Sequence, residues 1–267
     1  MNKSEIIAQI RTKKSFLCIG LDTDIKRIPS FLLEYEDPVF EFNKRIIDAT
    51  KDLCVAYKPN IAFYEAMGIN GWKSLEKTIK YIPKNIFTIA DAKRGDIGNT
   101  SKKYAETFFS TYSFDAITVA PYMGLDSVMP FLEYSNKWTI ILGLTSNKGS
   151  SSFQNLKLEN GIQLHREVIT NSMNWGSNDN TMYVVGATQS KDLIDIRKLI
   201  PNHFLLIPGI GVQGGNIEEV IKNGLNNDIG LLVNSSRGII YAGEDAQFPS
   251  KARDAASKIR KKMAEYL

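Results

Sequence analysis

The stretch IFTIADAKRGDIGNT, residues 86–100, joins an apolar run directly to a cluster of opposite charges. Residues 86–90 show no polar alternation, which is typical of a strand that is covered on both faces. The charged residues Asp91, Lys93, Arg94 and Asp96 follow at once. Charged side chains avoid protein cores unless they are paired. These charges therefore reach solvent at the end of a strand, or they form a working site.

The same kind of apolar run recurs along the chain and predicts eight strands. The predicted strands are Phe16–Leu21, Leu53–Tyr57, Ile86–Ala90, Ala116–Ala120, Thr139–Leu144, Met182–Ala187, Phe204–Ile207 and Ile229–Val233. Longer segments with apolar residues at helical spacing lie between them. Examples are Glu36–Lys51, Ser101–Tyr112 and Asn216–Gly224.

Strands that alternate with helices predict a parallel sheet with right-handed crossovers. Eight such units favour an α/β fold of the (β/α)8 TIM-barrel type, with residues 1–267 forming a single domain. A doubly wound open sheet is the alternative, but IGLDTDIKRIP stands where its Gly-x-Gly-x-x-Gly motif would follow the first strand. The irregular segment 147–180 is interpreted as a long loop between strands five and six.

The composition is that of an ordinary globular protein, with 43% hydrophobic and 23% charged residues and a net charge of +4. This mild charge gives little support to a nucleic-acid partner, and we predict none. No apolar segment approaches the roughly 20 residues of a membrane helix, and the N-terminus has no signal-peptide core. Cys18 and Cys54 lie in apolar runs and are expected to be buried free thiols. We therefore predict a cytoplasmic protein without a membrane partner.

In a barrel, the informative residues lie at the carboxyl ends of the strands. Asp91 and Lys93 are two residues apart, so on an extended strand they point to the same side. Lys58, one strand earlier, is expected to reach them and to complete an array of alternating charge, with Asp96 in the loop beyond. Such charges hold each other ionised in a partly dry pocket. The alternative is an ion-pair network that only closes the mouth of the barrel.

Glycines crowd the turn after strand seven, in the sequence PGIGVQGG at residues 208–215, and Arg237 follows strand eight. Glycines let backbone N–H groups approach an anion, and an arginine binds phosphate well. Barrels often bind phosphate on the loops after strands seven and eight. This order favours a phosphate site over a plain turn with a surface arginine.

The two histidines provide no material for a catalytic triad or a histidine-rich metal site. His165 lies on a helical pattern, and His203 lies before strand seven, at the wrong end of a barrel. Aspartate and glutamate can hold magnesium, but the lysines of the expected site compete with that role. We predict no metal.

The segment DAKRGDIGNT resembles the Asp-x-Lys-x-x-Asp-Ile-Gly-x-Thr signature of the orotidine 5′-phosphate decarboxylase family. Five further segments are similar to that family and follow its order: GLDTD, YKPN, LTSNKG, PGIGVQGG and VNSSRG. The long segment between strands five and six is similar to the bacterial subgroup with larger insertions.

The resemblance implies a homodimeric barrel that converts orotidine 5′-monophosphate to UMP without a metal or organic cofactor. It implies that Lys58, Asp91 and Lys93 act from one subunit, with Lys93 as the proton donor to C6, and that Asp96 acts from the partner. Thr100 would also cross the interface, toward the ribose. The implied substrate contacts are Asp22 and Asn60 to the ribose or base edge, Thr145 and Ser146 to the pyrimidine, and Gln213 and Arg237 to the phosphate.

Two rival functions remain open at the level of sequence. A hexulose-phosphate synthase-like aldolase has a similar third strand but uses a metal, and the Asp-Ile-Gly-Asn-Thr ending favours the decarboxylase instead. A non-catalytic nucleotide-binding or RNA-binding barrel is the other rival. Binding alone would not need a carboxylate beside that of the substrate, which argues against it.

Overall fold

The strands of this protein close into a barrel in the order in which they occur along the chain. The computed structural model describes residues 1–188, 190–210 and 216–267. Within these ranges, eight parallel strands run β1 to β8 around the barrel. They are β1 Leu17–Leu21, β2 Ala56–Pro59, β3 Phe87–Arg94, β4 Ala116–Val119, β5 Trp138–Leu144, β6 Thr181–Val185, β7 Phe204–Pro208 and β8 Leu231–Ser235.

Helices cover the outside of the barrel and alternate with the strands, as predicted. They are α1 Lys3–Lys13, α2 Pro38–Thr50, α3 Ile61–Glu65, α4 Gly68–Tyr81, α5 Gly98–Glu106, α6 Leu125–Leu132, α7 Leu164–Ser172, α8 Ser190–Leu199, α9 Ile217–Gly224, α10 Arg237–Ile240 and α11 Phe248–Ala264. The predicted helical segments correspond to α2, α5 and α9. Among the described residues, no helix is long and apolar enough to cross a membrane.

Barrel closure is visible in the register of β1, whose Cys18 pairs with Ala56 of β2 on one side and with Asn234 of β8 on the other. A doubly wound sheet would leave two open edges, so this pairing confirms the predicted barrel over the open-sheet alternative. Cys18 and Cys54 are buried free thiols, also as predicted.

Large aromatic side chains fill the end of the barrel where the strands begin. Phe87, Trp138 and Phe204 are the first residues of three alternate strands. The Trp138 ring packs edge-on against both phenylalanine rings, at centroid distances of 6.3 and 6.4 Å. Alternate strands supply such layers in barrels of this type. This end is therefore a packed core, and the opposite end is left for a site.

Two strands differ from their predicted bounds in a way that concerns the site. The strand predicted at Leu53–Tyr57 begins later and ends later, so that Lys58 lies within β2 and pairs with Gly20 of β1. The strand predicted at Ile86–Ala90 continues to Arg94, although its register against β4 is irregular beyond Ala90. Both key lysines are consequently held by strand backbone and not by loops.

The segment between β5 and β6 is irregular, as predicted, with a short 3₁₀ turn at Lys148–Ser152 followed by α7. Within this segment, the side chain of Gln154 contacts Thr145, the residue that follows β5. His165, at the start of α7, donates from Nδ1 to the backbone oxygen of Gln154 at 2.9 Å. His165 is buried and has a structural contact, in agreement with its predicted role.

Candidate active site

The carboxyl ends of the strands surround a cavity of about 390 Å³. Eight of the predicted site residues line it: Asp22, Lys58, Asn60, Asp91, Lys93, Thr145, Ser146 and Arg237. Gln213, the ninth that was predicted to act from this subunit, lies outside the described residues. Residues far apart in sequence therefore meet at one end of the barrel.

An array of alternating charge lies at the centre of this cavity. Lys58 Nζ is 2.5 Å from Asp91 Oδ2, and Lys93 Nζ contacts Asp91 Oδ1. The Lys58 and Asp91 side chains are only 5% and 10% exposed, whereas that of Lys93 is 51% exposed. Asp91 thus bridges one buried ammonium group and one that reaches into the open cavity.

Burial opposes the charge on Lys58 and Asp91, but their mutual attraction outweighs it. Burial acts to raise the pKa of Asp91, yet the two lysine ammonium groups bring that pKa well below its usual range. Burial likewise acts to lower the pKa of Lys58, and the Asp91 and Asp22 carboxylates raise that pKa above its ordinary value. The cavity therefore holds fixed opposite charges at neutral pH.

A bend in β3 brings Lys93 to Asp91. Regular strand alternation was the predicted reason for their shared side, but the register shifts between Ala90 and Arg94, and Lys93 has a φ of +46°. A non-glycine residue enters this left-handed region at a cost of about 1–2 kcal/mol. The next charge points elsewhere, since Arg94 pairs with Glu65 of α3. The prediction of a shared side is confirmed, but its geometric reason was wrong.

Asp22 follows β1 and offers a free acceptor. Its Oδ1 is buried without a hydrogen-bond partner among the described residues, while its backbone oxygen accepts from the Tyr241 hydroxyl at 3.0 Å. Buried polar atoms are nearly always paired, so an orphaned acceptor at a cavity wall is suited to a ligand hydroxyl. Asn60 lies nearby and uses its own Oδ1 to cap α3 through Ala62 N at 3.3 Å.

Thr145 and Ser146 directly follow β5 and are supported from two sides. The Gln154 side chain accepts from Thr145 N at 2.8 Å and donates to Thr145 Oγ1 at 2.9 Å. A Cβ atom on Gly186 would lie 2.7 Å from Ser146 N, so only glycine lets this turn approach the end of β6. Gln154 was not predicted, because nothing in its local sequence marks it as a contact of the site.

Asp96 and Thr100 do not line the cavity of their own chain. Asp96 Oδ1 accepts from Ile97 N at 2.8 Å, and Thr100 is exposed on α5. Large apolar side chains are exposed beside Asp96 and on the loop after β4, with Ile97 at 55% and Tyr122 at 89%. The chain segment that carries the two polar residues thus also exposes a large apolar side chain.

Four further polar residues line the cavity and were not among the predicted site residues: Thr118, Asn147, Asn234 and Ser236. Thr118 is a polar residue within the apolar run of β4, which was its only signal. Asn234 and Ser236 belong to the segment NSSRG that precedes and includes Arg237. In the described part of the chain, no group of three or more His, Cys, Asp or Glu side chains is arranged to bind one metal ion.

Comparison with known proteins agrees with this geometry. The sequence model described as "Orotidine 5'-phosphate decarboxylase / HUMPS family" matches residues 15–250. The chain is 58% identical to the orotidine 5′-phosphate decarboxylases of Bacteroides fragilis and Flavobacterium johnsoniae, and each alignment covers 100% of this chain and 98% of the relative. It superposes on the structure of Leishmania donovani OMP decarboxylase with a TM-score of 0.83 and 34% identity, covering 99% of this chain and 100% of that one. The chain belongs to the orotidine 5′-phosphate decarboxylase / HUMPS family.

Proposed function

We propose that this enzyme decarboxylates orotidine 5′-monophosphate to UMP, a step of pyrimidine biosynthesis. The observation that carries the proposal is the Lys58–Asp91–Lys93 array inside a cavity that opens at the carboxyl ends of the strands. Membership of the family and the 58% sequence identity to a named decarboxylase over the full chain support the same reaction.

In the proposed reaction, the bond between C6 of the pyrimidine and its carboxylate breaks and carbon dioxide leaves. The bonding electron pair stays on C6, where no neighbouring group delocalises it. A fixed positive charge beside C6 stabilises this carbanion. Lys93 supplies that charge from an ammonium group at the cavity surface, and then transfers a proton from Nζ to C6.

Asp91 is proposed to face the departing carboxylate of the substrate. The two lysines keep it ionised, as its lowered pKa indicates. Two facing carboxylates repel each other, and this repulsion is relieved when neutral carbon dioxide leaves. Lys58 holds Asp91 in place from the buried side, at 2.5 Å.

The remaining cavity residues are proposed to bind the substrate away from the reacting bond. The orphaned Oδ1 of Asp22 is suited to a ribose hydroxyl, with Asn60 beside it. Thr145 and Ser146 would contact the pyrimidine, and Arg237 with Gln213 would hold the phosphate. Binding energy at such remote groups orients the base for reaction. No metal or organic cofactor takes part in this scheme.

We further propose a homodimer in which Asp96 and Thr100 complete the cavity of the partner subunit. Neither lines the cavity of its own chain, and Asp96 follows three residues after Lys93, which does. The exposed side chains of Ile97, Tyr122 and Met123 on the adjacent loops support an interface there. In the proposed dimer, a partner subunit covers these apolar side chains, and Asp96 and Thr100 then reach the cavity of that partner.

The broader predictions from sequence stay part of this proposal. Residues 1–267 would form one barrel domain that works in the cytoplasm, with a small-molecule substrate and no nucleic-acid or membrane partner. The modest net charge of +4 is consistent with this view, because a nucleic-acid site typically needs a basic surface.

The test is the ultraviolet absorbance of orotidine 5′-monophosphate mixed with purified protein, with and without EDTA. We expect a rapid absorbance loss that EDTA leaves unchanged, and the same loss from Lys80→Ala, which changes an exposed lysine paired with Glu76. Absence of loss from folded protein that still binds UMP would overturn the proposal. A loss that stops with EDTA and returns with a divalent metal would contradict the cofactor-free scheme and favour metal-dependent chemistry.

A further inference from the structure

The bend in β3 falls on the residue that we assign as the proton donor. Lys93 adopts a φ of +46°, and the ladder between β3 and β4 is irregular from Ala90 to Arg94. An L-residue rarely adopts this conformation, so the surrounding structure must hold it. The position of Lys93 Nζ depends on whatever fixes this bend.

One side chain contacts both sides of the bend. The Thr118 hydroxyl accepts from the backbone N–H of Lys93 at 2.9 Å and donates to Asp91 Oδ1 at 3.2 Å. A hydroxyl has one proton to donate and lone pairs to accept, so the two bonds are compatible and each fixes the other's direction. Thr118 is fully buried on β4. Its hydroxyl therefore links the Asp91 carboxylate to the backbone of Lys93, the proposed proton donor.

We propose that Thr118 is a positioning residue for the reaction: its hydroxyl holds the bend that places Lys93 Nζ beside Asp91. The inference rests on the proposed function, because it assumes that Lys93 delivers the proton. Thr118 itself would not touch the reacting atoms. It would act by fixing the distance between the ammonium group and the carboxylate before substrate binds, which lowers the reorganisation needed in the transition state.

A purely structural role for the hydroxyl makes a different prediction. Removing a buried hydroxyl that satisfies two partners would then lower stability but leave turnover per folded molecule unchanged. Thr139 provides the matched control. It lies on the neighbouring strand β5, is also fully buried, and its Oγ1 has no hydrogen-bond partner among the described residues. Thr139→Val removes the same atom at the same burial without touching the array.

The experiment compares Thr118→Val, Thr118→Ser and Thr139→Val with the wild type, at a temperature where circular dichroism shows each variant to be folded. We expect kcat of Thr118→Val to fall about 10- to 100-fold, as befits a lost hydrogen bond to a charged group, with KM changed less than about threefold. Thr118→Ser keeps the hydroxyl and should retain most of kcat. Thr139→Val should match the wild type.

Equal kcat values for folded Thr118→Val and Thr139→Val would overturn the inference, and so would a Thr118→Ser variant as slow as Thr118→Val. Inactive wild-type protein would instead refute the proposed function. In that case the crystal structure of Thr118→Val decides the inference. A shifted Lys93 backbone with a broken Lys93–Asp91 contact supports positioning by Thr118, and an unchanged bend refutes it.

Discussion

Removing the buried ammonium group of Lys58 should destabilise the folded protein far more than removing an exposed one. The Lys58 and Asp91 side chains are 5% and 10% exposed and lie 2.5 Å apart. In Lys58→Met, a side chain of similar length leaves Asp91 buried with the half-exposed Lys93 as its remaining charged partner and the Thr118 hydroxyl as a neutral one. Breaking a buried pair from one side typically costs about 3–5 kcal/mol.

Protonation of Asp91 limits that cost. A carboxyl with an ordinary pKa of about 3.9 takes up a proton at pH 7 for about 4 kcal/mol, at 1.36 kcal/mol per pH unit. We therefore expect Lys58→Met to lose about 3–4 kcal/mol of unfolding free energy at pH 7. For a chain of this size, 1 kcal/mol shifts Tm by about 2–4 °C, so Tm should fall by at least about 6 °C.

The measurement is chemical unfolding followed by circular dichroism, with two comparison variants. Lys80→Met removes an exposed lysine paired with Glu76 at 2.6 Å and should change the unfolding free energy by no more than about 0.5 kcal/mol. Lys58→Met/Asp91→Asn removes the stranded charge as well and should recover at least half of the loss. The reasoning would be refuted by a Lys58→Met protein as stable as Lys80→Met. It would also be refuted by a Lys58→Met/Asp91→Asn protein no more stable than Lys58→Met.

The loss of unfolding free energy in Lys58→Met should also depend on pH, in a direction that can be stated in advance. In the wild type the pKa of Asp91 lies below its unfolded value, so its contribution is present above about pH 4 and is lost as pH falls further. In Lys58→Met, burial raises the pKa of Asp91, so that as pH falls the folded variant takes up a proton before its unfolded state does. The variant therefore gains stability, and the difference in unfolding free energy between the wild type and Lys58→Met should narrow from pH 7 to pH 4. A gap that widens over this range would contradict the assignment.

Four further outcomes follow from the structure. Lys93→Ala should lower turnover by at least about 10³-fold while UMP still binds, because proton transfer and carbanion stabilisation are lost together, and near-normal turnover would contradict its role as acid. Mixing inactive Lys93→Ala and Asp96→Ala proteins should restore part of the activity in hybrid dimers, and no recovery after verified subunit exchange would count against the shared site. Gly20→Ala places a Cβ atom 1.8 Å from Ser236 Oγ, so KM should rise severalfold in steady-state assays, and an unchanged KM would show that the cavity wall adjusts freely. Native protein should resist a thiol reagent at pH 8, because burial raises the pKa of Cys54 to about 12 and both thiols are buried, and prompt labelling would oppose this packing.

The barrel was predictable from sequence because its strands are buried on both faces. Each apolar run is near-continuous and is followed by a turn and a helix, and β1 closes against β8 as eight such units require. Strand ends were less predictable. Lys58 was placed after its strand and lies within it, because the apolar pattern of the run stops one residue earlier, while the pairing with β1 continues through Pro59.

The charged array was predictable in its members but not in its geometry. Polar residues at the ends of neighbouring strands must meet in a parallel barrel, so Lys58, Asp91 and Lys93 could be grouped from their positions alone. The bend at Lys93 left no sequence signal, since lysine has no preference for a left-handed backbone. Contacts that act across strands or from an irregular segment, such as those of Thr118 and Gln154, need the tertiary structure.

The two lysines of the array are chemically alike, and the structure favours different roles for them. Lys58 is 5% exposed. Burial opposes its charge, but the Asp91 and Asp22 carboxylates raise its pKa above the ordinary value, which suits a fixed charge better than a proton donor. Lys93 is 51% exposed and lies on the open side of Asp91, where a bound base would arrive. A proton donor must reach its acceptor within hydrogen-bond distance, and only the side chain on the open side has that freedom. If Lys58 were the proton donor, its ammonium group would have to leave the Asp91 and Asp22 carboxylates inside the barrel. Because Lys58 is buried, that movement costs more free energy than a movement of Lys93.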